Sequence, residues 1–376
     1  MITTTKNLLL LTVTTCIMII VIEVGLRLFT VFPVHTPTAN RIEDEVLSYR
    51  MSPRLAGIDE NGFRNPEVLD SAELVTLGDS QTYGFNARPE HTWPQQLADQ
   101  LDVSVYNFGV GGYSPLQTYA LIDDALALDP DLMVISLTLA NDLNDVCALI
   151  VQSDYWAWWA DEAGYDVSIC PPEPPAAAKT LRFWWAQTAI GSLTESVWHN
   201  IALWRQFAIS SEDAKQQTDE AVIVPAPIET IISTAVVQRH IEHTDLSQPH
   251  IALGLEITIE VLKTARAKAN AKRAQFAVLI IPTKEAVLHT HLVEQGYVLP
   301  DYFEVAQMQE TQLVARLAET LGEADILYVD ARPYMLQAVQ TDSAVFAPST
   351  DNHPLANGYA AYADALYELF ASETGE

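Results

Sequence analysis

The chain has 376 residues, 49% of them hydrophobic and 18% charged, which is enough apolar material for one large domain with an insertion or for two domains. Asp and Glu outnumber Lys and Arg by 49 to 20, a formal net charge of −29. Such a surface argues against a nucleic-acid backbone or an anionic lipid sheet as the main partner.

The first expected element is a membrane anchor. The run from Leu8 to Ile22 carries no charge and continues to Phe32 with only Glu23 and Arg27 as charges, a length that suits a bilayer span. Glu23 and Arg27 stand four apart on one helical face, in the order that favours mutual contact. No small-x-small cleavage site follows Ile22, which favours a retained anchor over a cleaved signal peptide. Lys6 precedes the segment while Arg27, Arg41, Arg50 and Arg54 follow it, so the charge rule leaves the orientation open. Residues 1–32 read as the anchor and 33–70 as a polar tether.

Strands and helices then alternate. The runs ELVTLGD, VSVYNFG, DLMVISLTLAND, FAVLIIP and ILYVDA predict five strands. Helical patterns separate most of them: WPQQLADQL, LQTYALIDDALAL and the segment from Ile251 to Ala271, where Ile251, Leu255, Ile259 and Leu262 recur at helical spacing. Near-continuous apolar strands between helices predict an α/β fold with a parallel sheet covered on both faces. The expected body comprises residues 71–145 and 250–376.

Between them, residues 146–249 break the rhythm and read as an aromatic-rich insertion or cap. It contains the Pro-rich connector CPPEPPAAAK and seven of the eight tryptophans, between Trp156 and Trp204. Those rings fit three roles: the core of the cap itself, a membrane interface, or stacking on sugar rings. Cys16 belongs to the anchor. Cys147 and Cys170 flank a short aromatic stretch, and a disulfide between them would close a loop worth about 3 kcal/mol in the chain-entropy model. Such a bond would place the body in an oxidising compartment, and two free thiols are the alternative.

Four strand-end or loop segments carry candidate chemistry. Ser80 lies in GDSQTYG, Gly112 in NFGVGGYSPLQ, Asn141 in TLANDLND, and Asp351 with His353 in PSTDNHPLANGY. Each follows a strand or precedes the last helix, so a parallel sheet would gather them at the edge where ligands bind. An acyl-transfer site needs a nucleophile, a base, a group to orient the base and donors for an oxyanion. Ser80 can attack, His353 can take and return its proton, and Asp351 can fix the imidazole tautomer. The amides of Ser80 and Gly112 and the side chain of Asn141 are the candidate oxyanion donors. No Walker lysine or strand-to-helix GxGxxG accompanies GVGG, which sets a phosphate loop aside.

With this ordered set the chain resembles the SGNH (GDSL-type) hydrolases, over about residues 60–145 and 250–370. NGFRNPE before the first strand and IIPTKEAV after the fourth are similar to segments of membrane-anchored bacterial members. The resemblance implies a three-layer α/β/α sandwich with a central parallel five-stranded sheet, no cofactor or metal, and ester hydrolysis or acyl transfer. Two departures stand out. Ala140 replaces the glycine usual before the block Asn, and Asp351 and His353 are spaced Asp-x-His, a spacing similar to that of relatives that O-acetylate exopolysaccharides.

The leading expectation is a membrane-tethered serine esterase with an extracytoplasmic, periplasmic body, acting on carboxylic esters such as acetyl groups of small molecules or glycans. An O-acyltransferase using the same residues and a catalytically silent glycan-binding protein are the alternatives. Retention of Ser80, Gly112, Asn141, Asp351 and His353 together argues against the silent binder.

Overall fold

The computed structural model describes residues 14, 15, 17–19, 21, 22, 41–53, 57–172, 221–224, 228–341 and 344–374. Most of the expected anchor, the linker up to residue 40, the connector beyond residue 172 and four of the tryptophans (Trp184, Trp185, Trp198 and Trp204) lie outside them. Among the described residues no helix is long and apolar enough to cross a membrane.

Strands β1 (Arg41–Asp44) and β2 (Ser48–Met51) form an antiparallel hairpin, followed by β3 (Leu74–Leu77), the one-turn helix α1 (Ser80–Tyr83) and α2 (Trp93–Leu101). Next come β4 (Val105–Asn107), α3 (Pro115–Leu126), β5 (Leu132–Thr138), α4 (Asp142–Gln152) and α5 (Asp154–Glu162). Beyond the connector lie β6 (Ala221–Val224), β7 (Thr230–Ser233), α6 (Thr234–Thr244) and α7 (Pro249–Lys272). The chain closes with β8 (Gln275–Ile281), α8 (Lys284–Glu294), α9 (Asp301–Glu323), β9 (Leu327–Asp330), α10 (Arg332–Thr341) and α11 (Ala356–Thr374).

The five predicted strands form one parallel sheet in the order β4-β3-β5-β8-β9. Alternation along each strand assigns side chains to two cores. Val75, Met133, Ile135, Val278 and Ile280 face one layer with α3, α7 and the second half of α9. Leu74, Val134, Ala277, Leu279 and Ile281 face the other, with α2, α8, α10 and α11. The result is a three-layer α/β/α sandwich. Because the chain leaves β3 toward β4 and then crosses back to β5, the strand order reverses at β3. Open sheets present a crevice at such a reversal, beyond the carboxyl ends of the strands.

Two parts depart from the expected organisation. Residues 41–53 and 57–70, read as tether, fold onto the body: Leu47, Met51 and Phe63 are each at most 2% exposed and join the core around β3 and β5. Their apolar residues are too sparse to show a period in sequence, yet each finds a site on the sheet's flank. The described parts of residues 146–249 are likewise built into the layers. Val222, Val224, Ile232 and Val237 pack with α2 and α8, while Val146, Trp156 and Ala160 pack on α3 and α7. Trp156 is buried and donates from its indole to Val46 O at 2.7 Å, so it serves the body's core; Trp158 is 59% exposed. Cys147 and Cys170 are joined in a disulfide with Cα atoms 5.2 Å apart, tying α4 to the turn after α5.

Helices α4 and α7 cross at their backbones. A Cβ added at Gly254 would lie 2.0 Å from Leu143 O, and Thr258 anchors the same turn by donating to Gly254 O at 2.7 Å. The obstacle is backbone, so Gly254→Ala must push the helices apart, at the upper end of the roughly 1–3 kcal/mol typical of overpacking. Urea unfolding is expected to show a lower midpoint with an unchanged slope.

Candidate active site

The sequence Gly78-Asp79-Ser80 turns the chain directly from β3 into α1. Asp79 caps the helix, its Oδ1 accepting from Gln81 N at 2.9 Å and from Thr138 Oγ1 at 3.0 Å. Ser80 is thereby placed at the first helical position, facing the crevice. So short a helix cannot stand on its own turns. Arg64, of the NGFRNPE segment, supplies the missing support by donating to the carbonyls of Tyr83 (2.9 Å), Gly84 (2.8 Å) and Ala87 (2.9 Å). The adjacent Asn65 donates to Asn107 O at 3.1 Å and accepts from Asn107 N at 2.9 Å, fixing the end of β4.

The loop before α11 brings Asp351 and His353 to this turn. His353 Nε2 lies 2.8 Å from Ser80 Oγ, and His353 Nδ1 lies 2.6 Å from Asp351 Oδ1. The backbone N–H of His353 also donates to Asp351 Oδ1, at 3.0 Å. The short Asp-x-His spacing therefore closes a local ring, and both side chains still point the same way. Burial alone would raise the Asp351 pKa, but the hydrogen bonds and charge of His353, with a further bond from Asn86, hold it well below the ordinary carboxylate range. The ring of Phe85 meets His353 edge-on with centroids 5.0 Å apart.

Gly112 and Asn141 lie on the turns after β4 and β5 and border the Ser80 turn: a Cβ on the adjacent Gly111 would lie 3.7 Å from Ser80 Cβ, and Asn141 Nδ2 is 3.4 Å from Asp79 Oδ2. Tyr49 of β2 donates to Gly111 O, and because a trans peptide sets its N–H opposite its carbonyl, the Gly112 N–H points away from Tyr49. Gly112 has φ +84°, and a Cβ there would meet the Tyr49 hydroxyl at 2.9 Å. Among the described residues, neither the Ser80 nor the Gly112 N–H has an acceptor. Asn141 immediately precedes α4, and its Nδ2 donates to Asp145 Oδ2 at 2.8 Å, with Asp79 Oδ2 and Asp142 Oδ1 each at 3.4 Å. The turn with Ala140 is closed by Asp142, which accepts from Thr138 N at 2.6 Å, and by His243 of α6, which donates to Ala140 O at 2.9 Å. Burial, with the Asp79 charge, pushes Asp142 well above its usual range, and burial pushes Asp145 up to about 6.

All five sequence-derived candidates thus stand around one crevice: a serine hydroxyl joined to an imidazole, the imidazole to a carboxylate, and three candidate donors on the neighbouring turns. The arrangement can remove a proton from Ser80 as its oxygen attacks an electrophilic carbon. Several contributors carried no signal in the sequence. Asn86, with φ +64° just past α1, donates to Asp351 Oδ2 at 3.1 Å and to His353 O at 3.2 Å. Tyr49, Arg64 and His243 also act from segments read as tether or insertion. Only the NGFRNPE motif offered a hint, for Arg64.

Residues 76–161 match the model of the GDSL-like lipase/acylhydrolase family. No curated protein matches the chain. Among solved structures, it is similar to a catalytic mutant of an acetylxylan esterase from Geobacillus stearothermophilus (13% identity, TM-score 0.37, covering 82% of this chain and 96% of that one). It is similar also to phospholipase A1 from Streptomyces albidoflavus (13%, 0.39, 80% and 99%) and to an extracellular lipase from Streptomyces rimosus (12%, 0.38, 80% and 98%).

Asn86 generates a prediction. Asn86→Asp keeps the shape and the left-handed backbone but replaces the donor to Asp351 with a carboxylate, so two like charges face each other. The expected result is a fall in kcat of about ten- to a hundredfold with KM little changed, since the damage falls on the imidazole's partner. Steady-state kinetics on a soluble ester measures both constants.

Proposed function

We propose that this SGNH-type ester hydrolase is a membrane-anchored serine esterase with a periplasmic body, removing acyl groups, acetyl among them, from hydroxyls of small molecules or glycans. The observation that carries the reading is the unbroken hydrogen-bonded chain from Ser80 Oγ through His353 to Asp351.

Ser80 Oγ attacks the ester carbonyl while His353 Nε2 takes its proton, and Asp351 holds the imidazole's tautomer and stabilises the imidazolium. The carbonyl oxygen becomes an oxyanion that accepts from Ser80 N–H, Gly112 N–H and Asn141 Nδ2, each donor lowering the barrier by about 3 kcal/mol. Collapse expels the alcohol, which receives the proton from His353. A water then repeats the sequence on the acyl-serine and releases the acid. No metal or cofactor enters these steps.

The anchor rests on the uncharged run from Leu8 to Ile22. The compartment rests on the Cys147–Cys170 bond, which belongs in an oxidising milieu. Acyl transfer to a sugar hydroxyl is a second reading, favoured by the Asp351-x-His353 spacing. It requires the acceptor to outcompete water at the acyl-serine.

Ser80→Ala and His353→Ala are expected to lose nearly all turnover, with the double variant no worse, and Asp351→Asn to lose less. Asn141→Ala should slow turnover by about a hundredfold or more. A fluorophosphonate should label Ser80 in the wild type alone. An ester panel run with and without sugar acceptors separates hydrolysis from transfer: free acid in both arms marks the esterase, and acylated sugar marks the transferase. Full activity in folded Ser80→Ala would sink the mechanism.

A further inference from the structure

Lys284 lies at the start of α8, within the IIPTKEAV segment, and is 1% exposed. Neither the burial nor the place favours a lysine. Fully buried lysines are rare, and the amino end of a helix repels a cation. Replacing a buried charge with an apolar side chain of similar volume is commonly neutral or stabilising, so folding alone gives weak grounds for this residue.

Its contacts give a reason. The Nζ atom donates to three backbone carbonyls: Ser349 at 2.9 Å, Asp351 at 2.9 Å and Ile231 at 3.1 Å. An ammonium has three N–H donors and no acceptor, so the set is saturated. Two of the carbonyls belong to the loop that carries Asp351 and His353, and the third belongs to β7. The ring of Phe346 lies 5.4 Å from Nζ. Burial pushes the amine down to about 7, opposed by the charges of Asp351 and of Glu285 on its own helix. Glu285 reaches the same loop by a separate route: His240 of α6 donates to its Oε1 at 2.5 Å and accepts from Asn352 at 3.4 Å.

We infer that Lys284 is a positioning residue for the Ser80 reaction, its ammonium holding the backbone of residues 349–351 so that Asp351 and His353 meet the serine. This rests on the reading of Ser80, His353 and Asp351 given above. Lys284 acts through the loop and touches no reacting atom. A neutral or missing amine leaves at least one carbonyl without a donor and frees the loop to move. A shift of about 1 Å at the imidazole is sufficient to lose a large part of the rate.

The test uses the full chain in detergent. Lys284→Met removes all three donors at similar length, and Lys284→Gln keeps two N–H groups on a shorter stem. The expected result is a kcat lowered by about ten- to a hundredfold in Lys284→Met, with Lys284→Gln in between and KM within about twofold in both. A double-mutant cycle with Asp351→Asn separates positioning from a general structural role. If Lys284 works through Asp351 and His353, adding Lys284→Met to Asp351→Asn costs less than about threefold more, because the two residues act as a unit. Fully multiplying losses overturn the inference, as does wild-type kcat in a folded Lys284→Met protein. Should Lys284→Met fail to fold, Lys284→Gln carries the same cycle with the same criteria. A Ser80→Ala control keeps the two readings apart. Activity in that control removes the serine mechanism and this inference with it, whereas an inactive control beside a fully active Lys284→Met removes only the inference.

Discussion

The 2.8 Å contact between Ser80 Oγ and His353 Nε2 joins residues 273 positions apart, and the rest of the site depends on keeping both ends still. One end is a single helical turn, and the other is a loop between two helices. Neither is rigid by itself, since a lone turn is below the length at which helices persist and a loop lacks a ladder of backbone bonds. Rigidity is imported. Arg64 ties the carbonyls at the end of α1. Asn86 fastens Asp351 and the His353 carbonyl to the segment after that helix. The sheet supplies the remainder, because β3 is paired on both sides and cannot shift without breaking two ladders.

The electrostatics suit the same end. A developing oxyanion is opposed by nearby negative charge, and Asp79, Asp142 and Asp145 lie close to Asn141. Burial raises the pKa of both Asp142 and Asp145, disfavouring the charged form of each. Asn141 Nδ2 donates at 2.8 Å to Asp145, a bond that fixes the amide plane, and has longer 3.4 Å contacts with Asp79 and Asp142, which a stronger acceptor would have to displace. Asp351 is treated in the opposite way. Its bonds to His353 and Asn86 keep it ionised, as a group facing an imidazolium requires.

The segment between the two halves of the body also serves the site. Helix α6, at the end of the expected insertion, places His243 on Ala140 O beside Asn141 and His240 next to Asn352 in the loop that carries Asp351 and His353. One helix therefore touches both loops of the candidate site. Strand β7 adds Ile231 O to the shell of Lys284. These residues link the insertion to the positions of the candidate site residues.

Local pattern made much of this readable in advance. The five strands are apolar runs, because a strand covered on both faces has to be apolar throughout. Ser80, Gly112, Asn141, Asp351 and His353 were recognisable because their residue types occur in order at strand ends and in the last loop. What pattern left out was decided by contacts between distant parts of the chain. Asn86 meets Asp351 across 265 positions and Trp156 meets Val46 across 110. Residues 41–70 look polar because their few apolar side chains show no period, and only the flank of the sheet gives Leu47, Met51 and Phe63 a place to be buried. Lys284 reads as a surface lysine at a helix start. Its burial follows from three carbonyls converging from β7 and the loop that carries Asp351. Sequence determined which groups are available for chemistry through the periods of strand and helix, whereas tertiary packing decided which groups hold them in place, because those contacts leave no periodic trace along the chain.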